Sequence, residues 1–172
     1  MNVLLLLLAF SSLTAQAGSA PSQPTYKDFD RKPVSVTEEE FARIRLRIAD
    51  QCGLHSGDDL SHAPWYFHYE LGLELARKGD PQRALDALID ATEHRPRPER
   101  GARMYGVWFT DYCPYFQIAR LHVKLGNWAC AEDALRVSQD LHEVAKADPE
   151  FRELGELKQE AAAGRSRDPQ KH

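Results

Sequence analysis

The chain has 172 residues, 42% of them hydrophobic and 28% charged, with a formal net charge of −4. These values fit one soluble domain or a short repeat array, and a pI near 6.0 excludes the dominant basic face of a nucleic-acid-binding protein. Three cysteines are too few for a disulfide-dense miniprotein, and the hydrophobic content is too high for a chain disordered throughout.

Val3 to Phe10 is an unbroken apolar run with five leucines, Leu4 to Leu8, followed by Ser11, Ser12 and Ala15-Gln16-Ala17. This layout predicts a secretory signal peptide over residues 1–17, cut after Ala17, although no Lys or Arg precedes the run. The run is too short to cross a bilayer, which takes roughly 20 apolar residues. The other reading is a buried N-terminal helix. The expectation is therefore an exported protein, periplasmic or secreted, with no membrane span after cleavage. Residues 18–36 mix Gly, Ser, Pro and scattered charge without period and read as a flexible leader.

Thr37-Glu38-Glu39-Glu40 opens the first predicted helix, with Thr37 as N-cap, Glu40 at the capping-box position and acidic residues where the helix dipole favours them. Phe41, Ile44, Ile48 and Cys52 share one face, and Gly53 ends the helix. A loop follows to His62, with Ser61 available to cap the next helix near Ala63 or Pro64. Helical spacing then runs from Trp65 to Lys78, breaks at Gly79-Asp80, and resumes from Pro81 to His94. The same design recurs with Tyr115 to Leu125, a break at Gly126-Asn127, and a helix from Trp128 onward. No proline ends that last helix on schedule, so it is expected to run through Val144 to Ala147. Glu150 to Ala163 reads as a solvent-facing capping helix, ended by Gly164-Arg165-Ser166 and followed by a disordered tail, residues 164–172. No alternating run long enough to build a sheet is present.

Trp65 to Pro96 resembles a tetratricopeptide repeat, a helix-turn-helix unit of about 34 residues. The resemblance is carried by Leu71-Gly72, Gly79-Asp80, Ala84, Ala91 and Pro96, and in a second unit by Ile118-Ala119, Gly126-Asn127, Ala131 and Leu135, with Ser138 in place of the later alanine. The turn glycines are 47 residues apart, about 13 more than one repeat, and the excess lies in residues 97–110. The implied fold is an all-α, short right-handed helix-turn-helix solenoid of about two units with flanking helices, spanning residues 37–163. Because about three units are usually needed to bury a continuous core, the Phe41 helix is expected to pack on the first unit.

The family binds extended peptides or partner helices along the groove lined by the first helix of each unit. Transferred onto this sequence, the resemblance implies a groove of Tyr66, Tyr69, Leu73 and Arg77 with Phe116, Arg120, Val123 and Lys124. The asparagines of the family's carboxylate-clamp subset are absent, and a solvated basic edge is the simpler reading of any one basic residue. Tyr105, Trp108, Phe109, Tyr112, Tyr115 and Phe116 coincide with the extra residues between the units. They either present anchors to a partner or seal the junction; most are expected to seal it, with Tyr105 and Trp108 as the candidate surface contacts. Arg95, Arg97, Arg100 and Arg103 read as a solvated basic connection.

Cys113 and Cys130 fall at opposite ends of an antiparallel helix pair, about 17–25 Å apart, beyond the roughly 7 Å a disulfide allows. Cys52–Cys113 is the remaining candidate bridge, and free part-buried thiols are the default. His55, His62 and His68 lack partners at ligand spacing, Asp58-Asp59 reads as turn chemistry, and no phosphate loop or hydrolase motif occurs. No metal or cofactor is expected. The function these features favour is non-enzymatic binding of a protein or peptide partner in an adaptor or assembly role. The alternatives are self-association as a structural envelope protein and, more remotely, a thiol-dependent or hydrolytic accessory built on Cys52, Cys113 or His55.

Overall fold

The computed structural model describes residues 36–54 and 59–167. The signal-peptide and leader assignments up to residue 35, His55, Asp58 and the last five residues of the tail lie outside them. The described residues form α1 (Glu38–Gln51), a 3₁₀ turn (Leu60–His62), α2 (Trp65–Lys78), α3 (Pro81–His94), a hairpin of β1 (Glu99–Arg103) and β2 (Phe109–Tyr112), α4 (Pro114–Leu125), α5 (Trp128–Asp140) and α6 (Phe151–Arg167). The fold is all-α with one small inserted hairpin. Helices pack chiefly on their chain neighbours, from α1 on α2 to α5 on α6, while α2 also touches α4 and α4 touches α6. No helix among the described residues is long and apolar enough to cross a membrane.

Local chemistry explains where these helices start and stop. The Thr37 hydroxyl accepts the Glu40 N–H at 3.2 Å, and Asp80 accepts the Arg83 N–H at 3.2 Å with Pro81 in the first turn. Gly53, Gly79 and Gly126 stand at φ of +74°, +87° and +72°, the left-handed geometry that lets the final carbonyls of α1, α2 and α4 be bonded back. In each case the N–H groups of the glycine and of the residue after it return to the helix, as with Gly79 to Ala76 at 3.2 Å and Asp80 to Leu75 at 3.0 Å.

Small residues set how closely helices approach. A Cβ on Gly72 would lie 2.7 Å from Leu88 Cγ, so α2 and α3 meet at a distance only glycine permits. Ala84, Ala91, Ala119 and Ala131 are fully buried along the same packing lines, around a core holding Phe67, Leu75, Leu88, Phe116 and Leu157. Gly164 plays a similar part: a Cβ there would lie 2.3 Å from Trp128 Cδ2. It is a contact point within α6 and not a terminator, so α6 continues to Arg167. Gly155, also in α6, faces open space.

α5 also departs from expectation, ending at Asp140 instead of running to Ala147. His142 adopts φ +55°, and its N–H reaches Gln139 O at 3.0 Å while that of Glu143 reaches Ser138 O at 2.9 Å. This is the same closure used by the three glycines, built on a histidine whose Nδ1 lies 2.8 Å from Gln139 O. It turns the chain so that the Glu143 side chain is buried against the start of α4.

That start has no side-chain cap of its own, because Cys113 is the N-cap residue. Glu143 supplies one from 28 residues away, its Oε1 accepting the Tyr115 N–H at 2.9 Å and its Oε2 accepting the Phe116 N–H at 2.8 Å. Pro114 has no N–H, and the Cys113 N–H donates to the Tyr69 hydroxyl at 3.1 Å.

The hairpin was not expected. Neither ERGAR nor FTDY alternates in polarity; only Ala102 and Tyr112 are buried. The antiparallel register pairs Arg103 with Phe109 and Ala102 with Thr110, and shifts between Ala102 and Glu99. Gly101 sits at that irregularity with φ +64° and donates its N–H to Asp111 Oδ1 at 2.9 Å. The basic connection is partly tied into the fold: Arg100 pairs with Asp111, Asp148 and Glu150 at 3.0–3.3 Å and Arg95 stacks 4.6 Å over Trp65, while Arg97 and Arg103 are exposed, the latter with its Nε donating to Gly106 O at 2.8 Å.

Glu143→Ala is expected to lower stability by about 2–4 kcal/mol by stranding one buried and one part-buried N–H group, and Glu143→Gln by about half as much because its amide oxygen still serves one of them. Urea titration followed by circular dichroism measures both. His142→Gly is expected to raise stability by about 1 kcal/mol by relieving the left-handed backbone cost, read as a higher thermal midpoint.

Candidate functional site

The hairpin closes over the junction between α1 and α2 and leaves a cleft of about 490 Å³, lined by Ile48, Gln51, Cys52, Glu70, Met104, Tyr105, Trp108, Phe109 and Thr110. The α1 periodicity that buries Ile48 and Cys52 brings both to the cleft's inner wall. On the other side, a tight tip displays the rings: the Met104 N–H donates to Trp108 O and the Trp108 N–H to Tyr105 O, both at 2.9 Å, with Gly106 at φ +57°. Tyr105 lies on Gly53, where a Cβ would come within 2.6 Å of its ring. The tip is apolar and open to solvent, with Tyr105 51%, Val107 83%, Trp108 68% and Phe109 61% exposed.

Below the tip the hairpin is fastened to the helices. Tyr112 is fully buried, packs against Trp65 and Tyr69 at ring-centroid distances of 4.5 and 4.9 Å, and donates its hydroxyl to Arg95 O at 2.7 Å, with Ala91 O at 2.9 Å. Tyr69 donates its hydroxyl to Asp111 O at 2.9 Å. Rings at the foot of the insertion thus seal the junction, while those at the tip face outward.

The eight groove residues implied by the repeat resemblance do not form one accessible surface. Tyr69, Phe116 and Val123 are buried in the core, so the first is a structural hydroxyl and the other two are packing groups. Arg77 binds Glu74, which is buried and also accepts Arg47 Nη2 at 2.6 Å. Arg120 is held by Glu153 of α6 at 2.8 Å and by Gln117 at 2.9 Å. Leu73, Lys124 and Tyr66 are half-buried. Burial depresses the Lys124 ammonium and raises the Tyr66 phenol, the latter with added repulsion from Cys52 and Tyr105, its neighbours at the cleft.

The three cysteines are free, so the Cys52–Cys113 bridge is not formed. Burial, aided by the Glu70 carboxylate, pushes the Cys52 thiol up to about 12, and burial pushes Cys113 up to about 12 as well. Both are protonated near neutrality and poor nucleophiles. His55, the third candidate for such chemistry, lies outside the described residues. Among the described residues no three His, Cys, Asp or Glu side chains are grouped to hold a metal ion.

Glu70 was not singled out from the sequence. It is half-buried in α2, its Oε1 accepting the Thr110 hydroxyl at 3.4 Å, and desolvation raises its carboxyl above the ordinary range. Glutamates on amphipathic helices are common, and only the unforeseen hairpin turns this one into the lining of a cleft.

In the native protein one thiol, Cys130, which is exposed, is expected to react rapidly with Ellman's reagent, and all three after unfolding. Cys130→Ser should abolish the rapid phase.

No protein family, curated protein or solved structure matches the chain, so a functional reading rests on this cleft and the packing around it.

Proposed function

We propose that the chain is an exported, non-enzymatic, tetratricopeptide-like module that binds a protein or peptide partner through the cleft beside the hairpin. The observation that carries this reading is the exposed apolar tip formed by Tyr105, Val107, Trp108 and Phe109 next to an open cleft. A small protein gains nothing in its own stability by presenting four large apolar side chains to water, and clustered aromatic residues are the usual energetic centre of an interface. The tip is also built to hold its shape, because Tyr112 and Tyr69 pin its foot to α2 and α3. The repeat reading is supported by Gly72, Gly79, Ala84 and Gly126, each at a close approach or a left-handed turn as the motif's physics requires. The non-enzymatic reading is supported by the protonated state of both buried thiols. Export rests on the apolar run and the Ala15-Gln16-Ala17 site.

A photo-crosslinking residue at position 107, introduced in the native host, is expected to capture a partner more efficiently than one at position 73 on the α2 face. With that partner purified, Trp108→Ala should weaken binding at least tenfold. Undiminished affinity, or capture from position 73 alone, would move recognition to the α2–α4 face and remove the hairpin from it.

A further inference from the structure

The part-buried and buried carboxylates of this protein are matched almost without exception. Glu74 lies between Arg47 and Arg77. Glu153 holds Arg120, and Asp148 and Glu150 hold Arg100. Glu143 takes two backbone N–H groups and Asp80 takes one. Glu70 stands apart. Its side-chain partner is a neutral hydroxyl at 3.4 Å, and among the described residues no lysine, arginine or histidine lines the cleft with it and it forms no ion pair.

An unpaired carboxylate in an apolar recess costs free energy unless a cation or several donors reach it. Around this one the fold places Tyr105, Trp108 and Phe109, whose ring faces attract positive charge, and the polarizable Met104. A carboxylate among aromatic rings, with no cation paired to it among the described residues, is complementary to an organic cation. An anionic ligand would meet Glu70 head-on, and a wholly apolar one would leave it unsatisfied.

Resting on the proposed role of this cleft in partner binding, we infer that its occupant is a lysine or arginine side chain of the partner segment, ion-paired to Glu70 and enclosed by the rings of the hairpin tip. The rest of the cleft then receives the apolar residues beside that basic one. Glu70 sets the specificity, and Trp108 and Phe109 supply most of the contact area.

The test uses the full mature chain and a displayed library of random short peptides. Wild type is expected to enrich sequences with one Lys or Arg flanked by apolar residues. A synthetic peptide of the enriched sequence should lose about tenfold in affinity or more toward Glu70→Gln, the loss of one charge-assisted contact. Glu70→Gln keeps the acceptor for Thr110, and an unchanged thermal midpoint verifies its fold. Replacing the peptide's basic residue by norleucine should cost a similar factor with wild type and little more with Glu70→Gln. Enrichment of peptides without a basic residue, or equal affinity of Glu70→Gln, overturns the cation assignment and leaves the cleft as a binding site. Absence of any enrichment overturns both.

Discussion

The N-terminus of α4 is the point on which the rest of the structure depends. A helix start inside a core exposes N–H groups that must be bonded, and this one begins at Cys113-Pro114, which offers no capping oxygen. The need is met from two distant places, the Tyr69 hydroxyl of α2 and the Glu143 carboxylate beyond α5. Satisfying those donors fixes where β2 hands over to α4 and where α5 must stop, and it ties the two helix pairs together through polar contacts as well as packing. Tyr69 bonds the Asp111 carbonyl as well, so the same group that completes α4 also orients the hairpin and therefore the cleft.

Much of the helical frame was legible because its signals are local. Thr37, Pro81, Gly79 and Gly126 mark helix ends through backbone geometry that no distant residue can alter, and α2 and α3 span the residues their periodicity predicts. The failures fall where the deciding partner is far away. His142 closes α5 in a conformation that glycine normally takes, so nothing near it announces the end, and Gly164 resembles a stop signal until the Trp128 ring is found against it. Strand residues such as Glu99, Arg100 and Arg103 carry no alternating pattern, because the hairpin is held by its foot and by Arg100 ion pairs instead of by a buried face.

The candidate site was legible only in part, for the same reason. Tyr105 and Trp108 stood out as aromatic residues in an insertion, and they do line the cleft. Tyr69, Phe116 and Arg120 occupy positions a peptide groove would use, yet the rest of the fold claims them: the first bonds the hairpin backbone, the second is fully buried in the core, and the third pairs with Glu153 of α6. An insertion between two helical units can thus consume the surface those units would otherwise offer and build another at its own edge. Glu70 shows the reverse case, an ordinary helical glutamate given chemical meaning by a loop forty residues later in the chain.

The three tryptophans occupy three different surroundings. Trp65 lies under the Arg95 guanidinium and beside Tyr112, Trp128 is pressed against Gly164 of the last helix, and Trp108 stands in water at the hairpin tip. The molecule therefore contains its own optical separation of core from recognition edge. Emission accessible to an aqueous quencher belongs mainly to Trp108, so any event that covers the tip shields that component without disturbing the other two, and loosening of the C-terminal helix is registered separately at Trp128.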